Sequence, residues 1–434
     1  MTVLILYAND QWRQRQTVRD HLYSFRRYSH DCRFIYLNAA KPWRLFKQLG
    51  TLQFDAIILH YTFLALRFSH GWQRDSEVFL QKIASLPGKK VLIAHDEYSE
   101  TQALWKTARV CNASIIYTSC PPRDYPSVFP AEQLPSDTQI KTVFTGYVDD
   151  KSLKKLDKRA IPLALRPLDI GYRALESSFL FGVHGQTKTQ LAQEVLTASR
   201  ALGFKTDIRL TYNGDVNTLK GRYWLRFLAS CVASPGCLGG SSLLDTDGAV
   251  KKRVLAYRVA HPSASFEEVA RECYKGADGT IQAFLLGPRH FECAMTRTCQ
   301  LLVEGDYQGV FLPGIHYIEI KKNYSNLPEV LHKVKDRAYC QEVADRCHRD
   351  IAASGKYSYS RFVSDIIHSL RQERVNEVPP QTGRAFMVRF IAAVLNRIPT
   401  VKTLKSLPYH WYCALKIYRA NASTRTVTKA KQAK

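Results

Sequence analysis

The chain has 434 residues, 45% hydrophobic, 23% charged and 11% aromatic, which gives a folded protein room for two domains and a tail and excludes a disordered chain. Its formal net charge of +24 calls for a polyanionic partner, whether nucleic acid, an acidic membrane surface or a phosphorylated small molecule. The eleven cysteines show neither Cys-x-x-Cys pairs nor histidines at zinc spacing, so they read as reduced thiols and not as a zinc module.

The chain opens on Met1-Thr2-Val3-Leu4-Ile5-Leu6-Tyr7, too short an apolar run for a signal peptide and without a basic n-region; it predicts a first strand. No stretch approaches the roughly 18 uninterrupted apolar residues that a spanning helix needs. The expected location is cytoplasmic, with any membrane contact peripheral on the inner face of the plasma membrane. Short β-rich runs then alternate with helical segments: Val3–Tyr7, Arg33–Leu37, Ala56–Leu59, Val91–Ala94, Ser114–Thr118 and Thr142–Thr145. This alternation predicts βαβ units and a parallel sheet. Polar residues gather beyond the strand ends, at His60-Tyr61, at His95-Asp96-Glu97-Tyr98 and at Gly146-Tyr147, the edge where open α/β sheets bind ligands.

The lysine-rich stretch Asp149 to Arg159 reads as a crossing between domains, with the boundary at Arg159–Pro167. Alternation resumes with Thr206–Leu210, Cys231–Ala233, Thr280–Leu286, Gln300–Val303 and the helical Leu327–Ser354, a second α/β unit. The expected organisation is an N-terminal Rossmann-like domain over 1–160, a second over 161–370, and a tail over 379–434. From Pro379 onward the chain carries many Lys and Arg and no acidic residue, and Phe386, Phe390, Val394 and Ile398 recur at helical spacing beside Arg389 and Arg397. This predicts a basic amphipathic segment suited to an anionic membrane surface.

The sharpest local motif is a predicted strand, Ala283–Leu286, running into Gly287-Pro288-Arg289-His290-Phe291-Glu292 at the start of a helix. Glycine and proline make the turn; helix-start amides with Arg289 form an anion site, and Glu292 can accept hydrogen bonds from sugar or ribose hydroxyls. The alternative is a surface pair with a dipole-favoured acid. Further along come Leu301–Val303, Pro313-Gly314-Ile315-His316-Tyr317, Asn326 with Leu327–Leu331, and Tyr357-Ser358-Tyr359-Ser360-Arg361-Phe362. In this order the motifs resemble the donor-binding half of bacterial GT-B glycosyltransferases, in particular the spore-maturation CgeB-like branch of the group 1 transferases. The resemblance extends more weakly to Asp169-Ile170-Gly171-Tyr172-Arg173, to Gly221-Arg222-Tyr223-Trp224 and to the run from Gly240 to Gly248.

The resemblance implies an activated nucleotide-sugar lying between two Rossmann-like domains and held mainly by the second. Arg173, Lys188, Arg289, His290, Glu292, Glu304, His316 and Tyr317 are the expected donor-binding residues. Group 1 transferases often place a second glutamate eight positions after the first, for ribose; this chain has Gln300 there, which passes ribose recognition to Glu304 or another group. His95, Asp96 and Glu97 are the catalytic candidates, since an acceptor hydroxyl must lose a proton and a carboxylate or imidazole can take it. The rival reading of that cluster is a helix N-cap with acidic first-turn residues. Tyr98 and Tyr147 are expected on the acceptor side. Asp245-Thr246-Asp247 superficially matches a metal-binding Asp-x-Asp but is also an ordinary turn, and no metal or other cofactor is expected. The expected partners are a nucleotide-sugar and a surface-polysaccharide or lipid-linked glycan acceptor. The competing readings are a nucleic-acid-binding protein, disfavoured because much of the excess charge lies in the tail, and an inactive transferase-fold scaffold.

Overall fold

The computed structural model describes residues 1–8, 16–40, 53–69, 72–211, 219 and 221–372. The basic tail assigned to 379–434 lies outside the described residues. Two Rossmann-like α/β domains face each other, the layout the GT-B resemblance implies.

The first domain runs β1 (Thr2–Tyr7), α1 (Gln16–Tyr28), β2 (Arg33–Asn38), β3 (Ala56–Leu59), α2 (Tyr61–Leu64), α3 (Trp72–Ser85), β4 (Lys89–Ile93), α4 (Thr101–Cys111), β5 (Ala113–Thr118), α5 (Tyr125–Val128) and β6 (Gln139–Thr142). Its strands pair in parallel in the order β2-β1-β3-β4-β5-β6. Alternate residues of each strand feed opposite cores, because successive side chains point to opposite faces of a sheet. Leu4, Leu6, Ile57, Leu59 and Leu92 meet Leu80 and Ile83 of α3 and Leu104 and Ala108 of α4. Val3, Ile5, Ile58, Val91 and Ile93 meet Leu22 and Phe25 of α1.

The chain crosses over through α6 (Asp150–Asp157) into β7 (Leu168–Leu175), α7 (Gly182–Ala201), β8 (Thr206–Thr211), α8 (Arg222–Ala229) and β9 (Cys231–Gly236). There follow β10 (Gly239–Leu243), α9 (Ala249–Ala260), α10 (Phe266–Cys273), β11 (Asp278–Leu285), α11 (Pro288–Met295), β12 (Cys299–Val303), β13 (Ile318–Ile320), α12 (Leu327–Lys335) and α13 (Arg337–Cys347). The second sheet is parallel, ordered β13-β12-β9-β7-β8, with β10 and β11 forming a separate two-stranded antiparallel sheet. The last described helix, α14 (Tyr359–Gln372), returns to the first domain, where Phe362, Val363 and Ile366 join the α1 core. The two crossings lie side by side: Val148 donates to the Tyr357 carbonyl at 2.9 Å and Tyr359 donates to the Val148 carbonyl at 2.9 Å.

Several elements differ from expectation, β10 and β13 among them, since neither stands among the expected strands. The sixth strand is Gln139–Thr142, not Thr142–Thr145; it is a sheet edge without a buried face, so its composition carries little signal. The run expected as Thr280–Leu286 is one strand of the separate antiparallel pair, outside the parallel sheet. The interior strand β7 is not among the expected strands, although Ile170, Tyr172 and Ala174 alternate with Gly171 and Arg173 in the period of a strand. Gly171 is required there, since a Cβ would stand 2.2 Å from Cys231 Sγ on the neighbouring strand β9.

Candidate functional site

In both sheets the strand order reverses beside the first strand, between β1 and β3 and between β7 and β9, and ligand crevices of α/β sheets open at the carboxyl side of such points. The two carboxyl edges face one another across a seam. Glu100 donates its backbone N–H to the Asp245 carbonyl at 2.7 Å, Gln102 to Thr246 at 3.0 Å, and Asp245 to Tyr98 at 2.9 Å. Thr145 Oγ1 donates to the Leu286 carbonyl at 2.6 Å, and Gly146 packs so closely on Pro288 that a Cβ would lie 2.8 Å from its ring.

Between the start of α1 and the second domain lies a cavity of about 220 Å³, lined by Gln16, Thr17, Arg173, Trp224, Arg289 and Glu292 among others. The Arg289 guanidinium sits 4.6 Å from the Tyr172 ring and 5.3 Å from that of Trp224, and it donates to the Arg173 carbonyl. Trp224 Nε1 donates to Glu292 Oε2 at 2.6 Å. Burial raises the Glu292 pKa above the ordinary carboxylate value, against the Trp224 N–H and the Arg289 charge. Arg173 forks onto Asp207 and lies 4.7 Å from the Phe227 ring. The start of α11 is capped by no side chain: Gly287 holds the N-cap and Pro288 the first turn. Its amides and Arg289 together suit an anion.

A larger cavity of about 680 Å³ opens at the ends of β9, β12 and β13, lined among others by Arg123, His184, Asp278, Glu304, Lys322 and Tyr324. His184 stacks on Phe284 at 3.8 Å, and burial lowers its pKa to about 4. Lys188 Nζ lies beside Gly239, 3.9 Å from where a Cβ would stand. Here the helix start is occupied by protein groups: Val183 donates to Asp278 Oδ2 at 2.9 Å and His184 to Ser242 Oγ at 3.1 Å. Of the expected donor-binding residues, Arg173, Arg289 and Glu292 thus share one cavity, while Glu304 lines the other and Lys188 sits near it.

The remaining candidates fall in two groups. His95 and Asp96 follow β4 with side chains 30% and 47% exposed, His95 Nδ1 lying 3.6 Å from Asp96 Oδ2. Glu97 turns away: it is 1% exposed and accepts from Thr118 Oγ1 at 2.5 Å and the Ser119 amide at 3.0 Å, tying the loop to β5. Tyr98 is buried and donates to Asp96 Oδ1 at 2.8 Å. Tyr147, expected on the acceptor side, stacks on Phe362 at 4.6 Å and accepts from the Phe144 amide at 2.9 Å. His290, expected to touch the donor, is 1% exposed and faces Gln300 Oε1 at 3.3 Å, and Gln300 is itself buried. His316 and Tyr317 are buried in their loop, His316 Nδ1 accepting from the Leu312 amide at 3.1 Å and Tyr317 packing on Tyr307 at 5.2 Å. Asp245 accepts from the Val250 and Lys251 amides and Asp247 from the Ala249 amide, so both cap the start of α9.

Sequence reasoning did not single out as site residues Tyr172 and Trp224, which hold Arg289 and Glu292, Gln16 and Thr17, or the buried pair His21 and His60, whose ring nitrogens lie 2.9 Å apart. Trp224 is 68 residues from Glu292 and nothing local announces their pairing. Tyr359 links the two edges: its ring packs on His21 at 6.0 Å and it lies within electrostatic range of Glu292.

The chain matches no protein-family profile and no curated protein. Among solved structures it is similar to Anabaena HepE in complex with UDP-glucose, at 11% identity over 86% of this chain and 100% of that one, TM-score 0.47. It is also similar to sucrose-phosphate synthase from Thermosynechococcus elongatus, at 12% identity over 86% and 98% of the two chains, TM-score 0.41. The pneumococcal O-GlcNAc transferase GtfA, in complex with UDP and GlcNAc, is similar at 10% identity over 76% and 59%, TM-score 0.40. Likeness of this degree assigns neither an activity nor a residue to this chain.

Proposed function

We propose that the chain is a glycosyltransferase that moves a sugar from a nucleotide-sugar to a glycan or lipid-linked acceptor at the seam between its domains. The observation that carries this reading is the uncapped start of α11, with Arg289 and Glu292, opening into a cavity between the domains at the carboxyl edge of the second sheet. In this reading the donor diphosphate lies against the α11 amides and Arg289, and Glu292 accepts from a donor hydroxyl. An acceptor hydroxyl oxygen bonds to the anomeric carbon as the bond from that carbon to the diphosphate oxygen breaks. The electron pair leaves with the nucleoside diphosphate beside Arg289, and the hydroxyl proton passes to His95. The larger cavity, at about 680 Å³, falls in the usual volume range of ligand sites, about 300 to 1,000 Å³, and is the alternative seat for the donor.

A thermal-shift screen against UDP-, GDP-, dTDP-, CMP- and ADP-linked sugars tests the reading, because a bound donor stabilises the folded state by mass action. One donor class is expected to raise the Tm, with the response abolished in Arg289→Ala and Glu292→Ala. Absence of any response across the panel would overturn the donor class. Loss of the response in Glu304→Ala alone would move the diphosphate to the larger cavity.

A further inference from the structure

The loop from His95 to Glu100 is held more firmly than a connection needs. Two of its residues, Asp96 at φ 55° and Glu100 at φ 52°, adopt left-handed backbone without being glycine. Such residues persist only where their surroundings over-determine them, and they cluster at functional sites. Three restraints converge on this loop. Glu97 fastens it to β5 through Thr118 and Ser119. The second domain fastens it through the Asp245 backbone and through Lys251 Nζ, 2.6 Å from Glu100 Oε1. Beneath it lies Arg67, in the short 3₁₀ turn Ala65–Phe68 and only 3% exposed.

Arg67 spends its donors on backbone. Nη2 donates to the His95 carbonyl at 2.9 Å and to Asp96 at 2.7 Å, Nε to Ser99 at 3.2 Å, and Nη1 to Leu64 at 3.0 Å. A buried guanidinium is costly to desolvate, and a loop needing only closure could be satisfied by neutral donors. What Arg67 supplies is a rigid fork under the two peptide units that carry His95 and Asp96. Above it, the His95 ring packs at a tilt on Tyr61, centroids 5.1 Å apart, and its Nε2 is buried with no hydrogen-bond partner among the described residues.

We propose that Arg67 is a positioning residue that sets the His95 imidazole and the Asp96 carboxylate for proton transfer at the seam. The role rests on the glycosyltransferase reading, but the geometry it describes does not. Besides Arg67, the titratable groups around His95 are Asp96 on its own loop, Tyr61 and His60 after β3 and His21 on α1, with the buried Glu97 carboxylate acting at longer range. Burial and, less strongly, the Arg67 charge lower the His95 pKa, but Asp96 and Glu97 outweigh them and raise the group above its ordinary value; Arg67→Lys keeps the charge and changes only the fork. Loosening the fork frees Asp96 to leave and returns His95 toward ordinary behaviour.

The test is an NMR titration of the His95 imidazole in the full chain, for wild type, Arg67→Lys and Lys251→Met, which needs no substrate. In Arg67→Lys the His95 titration is expected to move down in pH by half a unit or more, with a change of ring-nitrogen shifts at high pH. Lys251→Met, which releases Glu100 from the second domain without touching Arg67, covers the case in which Arg67→Lys fails to fold and is expected to move His95 in the same direction by less. Unchanged His95 titration in a folded variant overturns the proposal. With the donor class found by thermal shift, Arg67→Lys is expected to lower kcat tenfold or more, to change KM for the donor less than twofold and to shift the pH profile with the NMR value. An altered imidazole with unaltered kcat overturns the role in transfer. A panel in which no nucleotide-sugar raises the wild-type Tm counts against the transferase reading, while the titration still decides the geometry.

Discussion

At the scale of single residues, the carboxylate and the histidines at the seam pull stability in opposite directions with pH. Burial raises the Glu292 pKa, so between the ordinary carboxylate value and the raised one the native state holds a proton the unfolded chain has lost, and stability falls as pH rises through that window. Glu292→Gln removes this contribution. Urea midpoints are expected to show the variant gaining on wild type at pH 7 relative to pH 4; an equal difference at both values would argue that Glu292 is no more protonated in the fold than outside it. The histidines have the opposite sign. Burial lowers His21 to about 3 and His290 to about 4, so on unfolding they take up protons, and stability is lost as pH falls from about 6.5 toward those values. His290→Gln is therefore expected to flatten the acid limb of the urea-midpoint profile between pH 6.5 and 4. An unchanged limb would show that His290 charges freely in the folded state.

At the scale of elements, Asp245 serves two structures at once: its carboxylate caps α9, and its backbone pairs with the loop before α4 in the other domain. Gly248 holds the N-cap of α9 and brings no side chain, so Asp245 supplies the first-turn acceptor in its place; losing such an acceptor costs about 0.5 to 2 kcal/mol, and Asp245→Ala is expected to lower stability by that amount in a urea titration. Asp247→Ala, which loses one local bond to Ala249, is expected to cost less. Equal costs would show that the cap is not what Asp245 contributes. The elements were legible in sequence where burial on both faces produced continuous apolar runs, as in Ala56–Leu59 and Val91–Ala94. They were illegible where tertiary packing overrode composition: β7 runs through Gly171 because Cys231 comes too close for any Cβ, and β13 has only three residues. The site followed the same division. Arg289 and Glu292 stood in a readable strand-turn-helix motif, whereas Trp224, Tyr172 and Arg67 act through contacts distant in sequence. Glu97 and His290 looked equally available in sequence; only their packing shows Glu97 committed to β5 and His290 to Gln300.

At the scale of the whole molecule, the charge and the seam make separate statements. Much of the +24 net charge lies beyond Pro379, and a basic amphipathic segment is attracted to anionic lipid. The full chain is expected to pellet with vesicles containing phosphatidylserine and to lose that association at high salt or when 379–434 is removed. Undiminished pelleting of the shortened chain would end the case for a tail anchor. The path of α14 gives such an anchor a direction. Because Phe362, Val363 and Ile366 seat that helix on the sheet that begins with β1, whatever follows Gln372 is joined to the molecule through the first lobe. The second lobe is joined to the first by two adjacent crossings of the chain, which meet at Val148 and Ser358, and by the seam contacts of Asp245 and Lys251. A surface that captures the far end of the chain would therefore grip the half bearing His95, and the half bearing Arg289 would be carried with it through the seam contacts of Asp245 and Lys251.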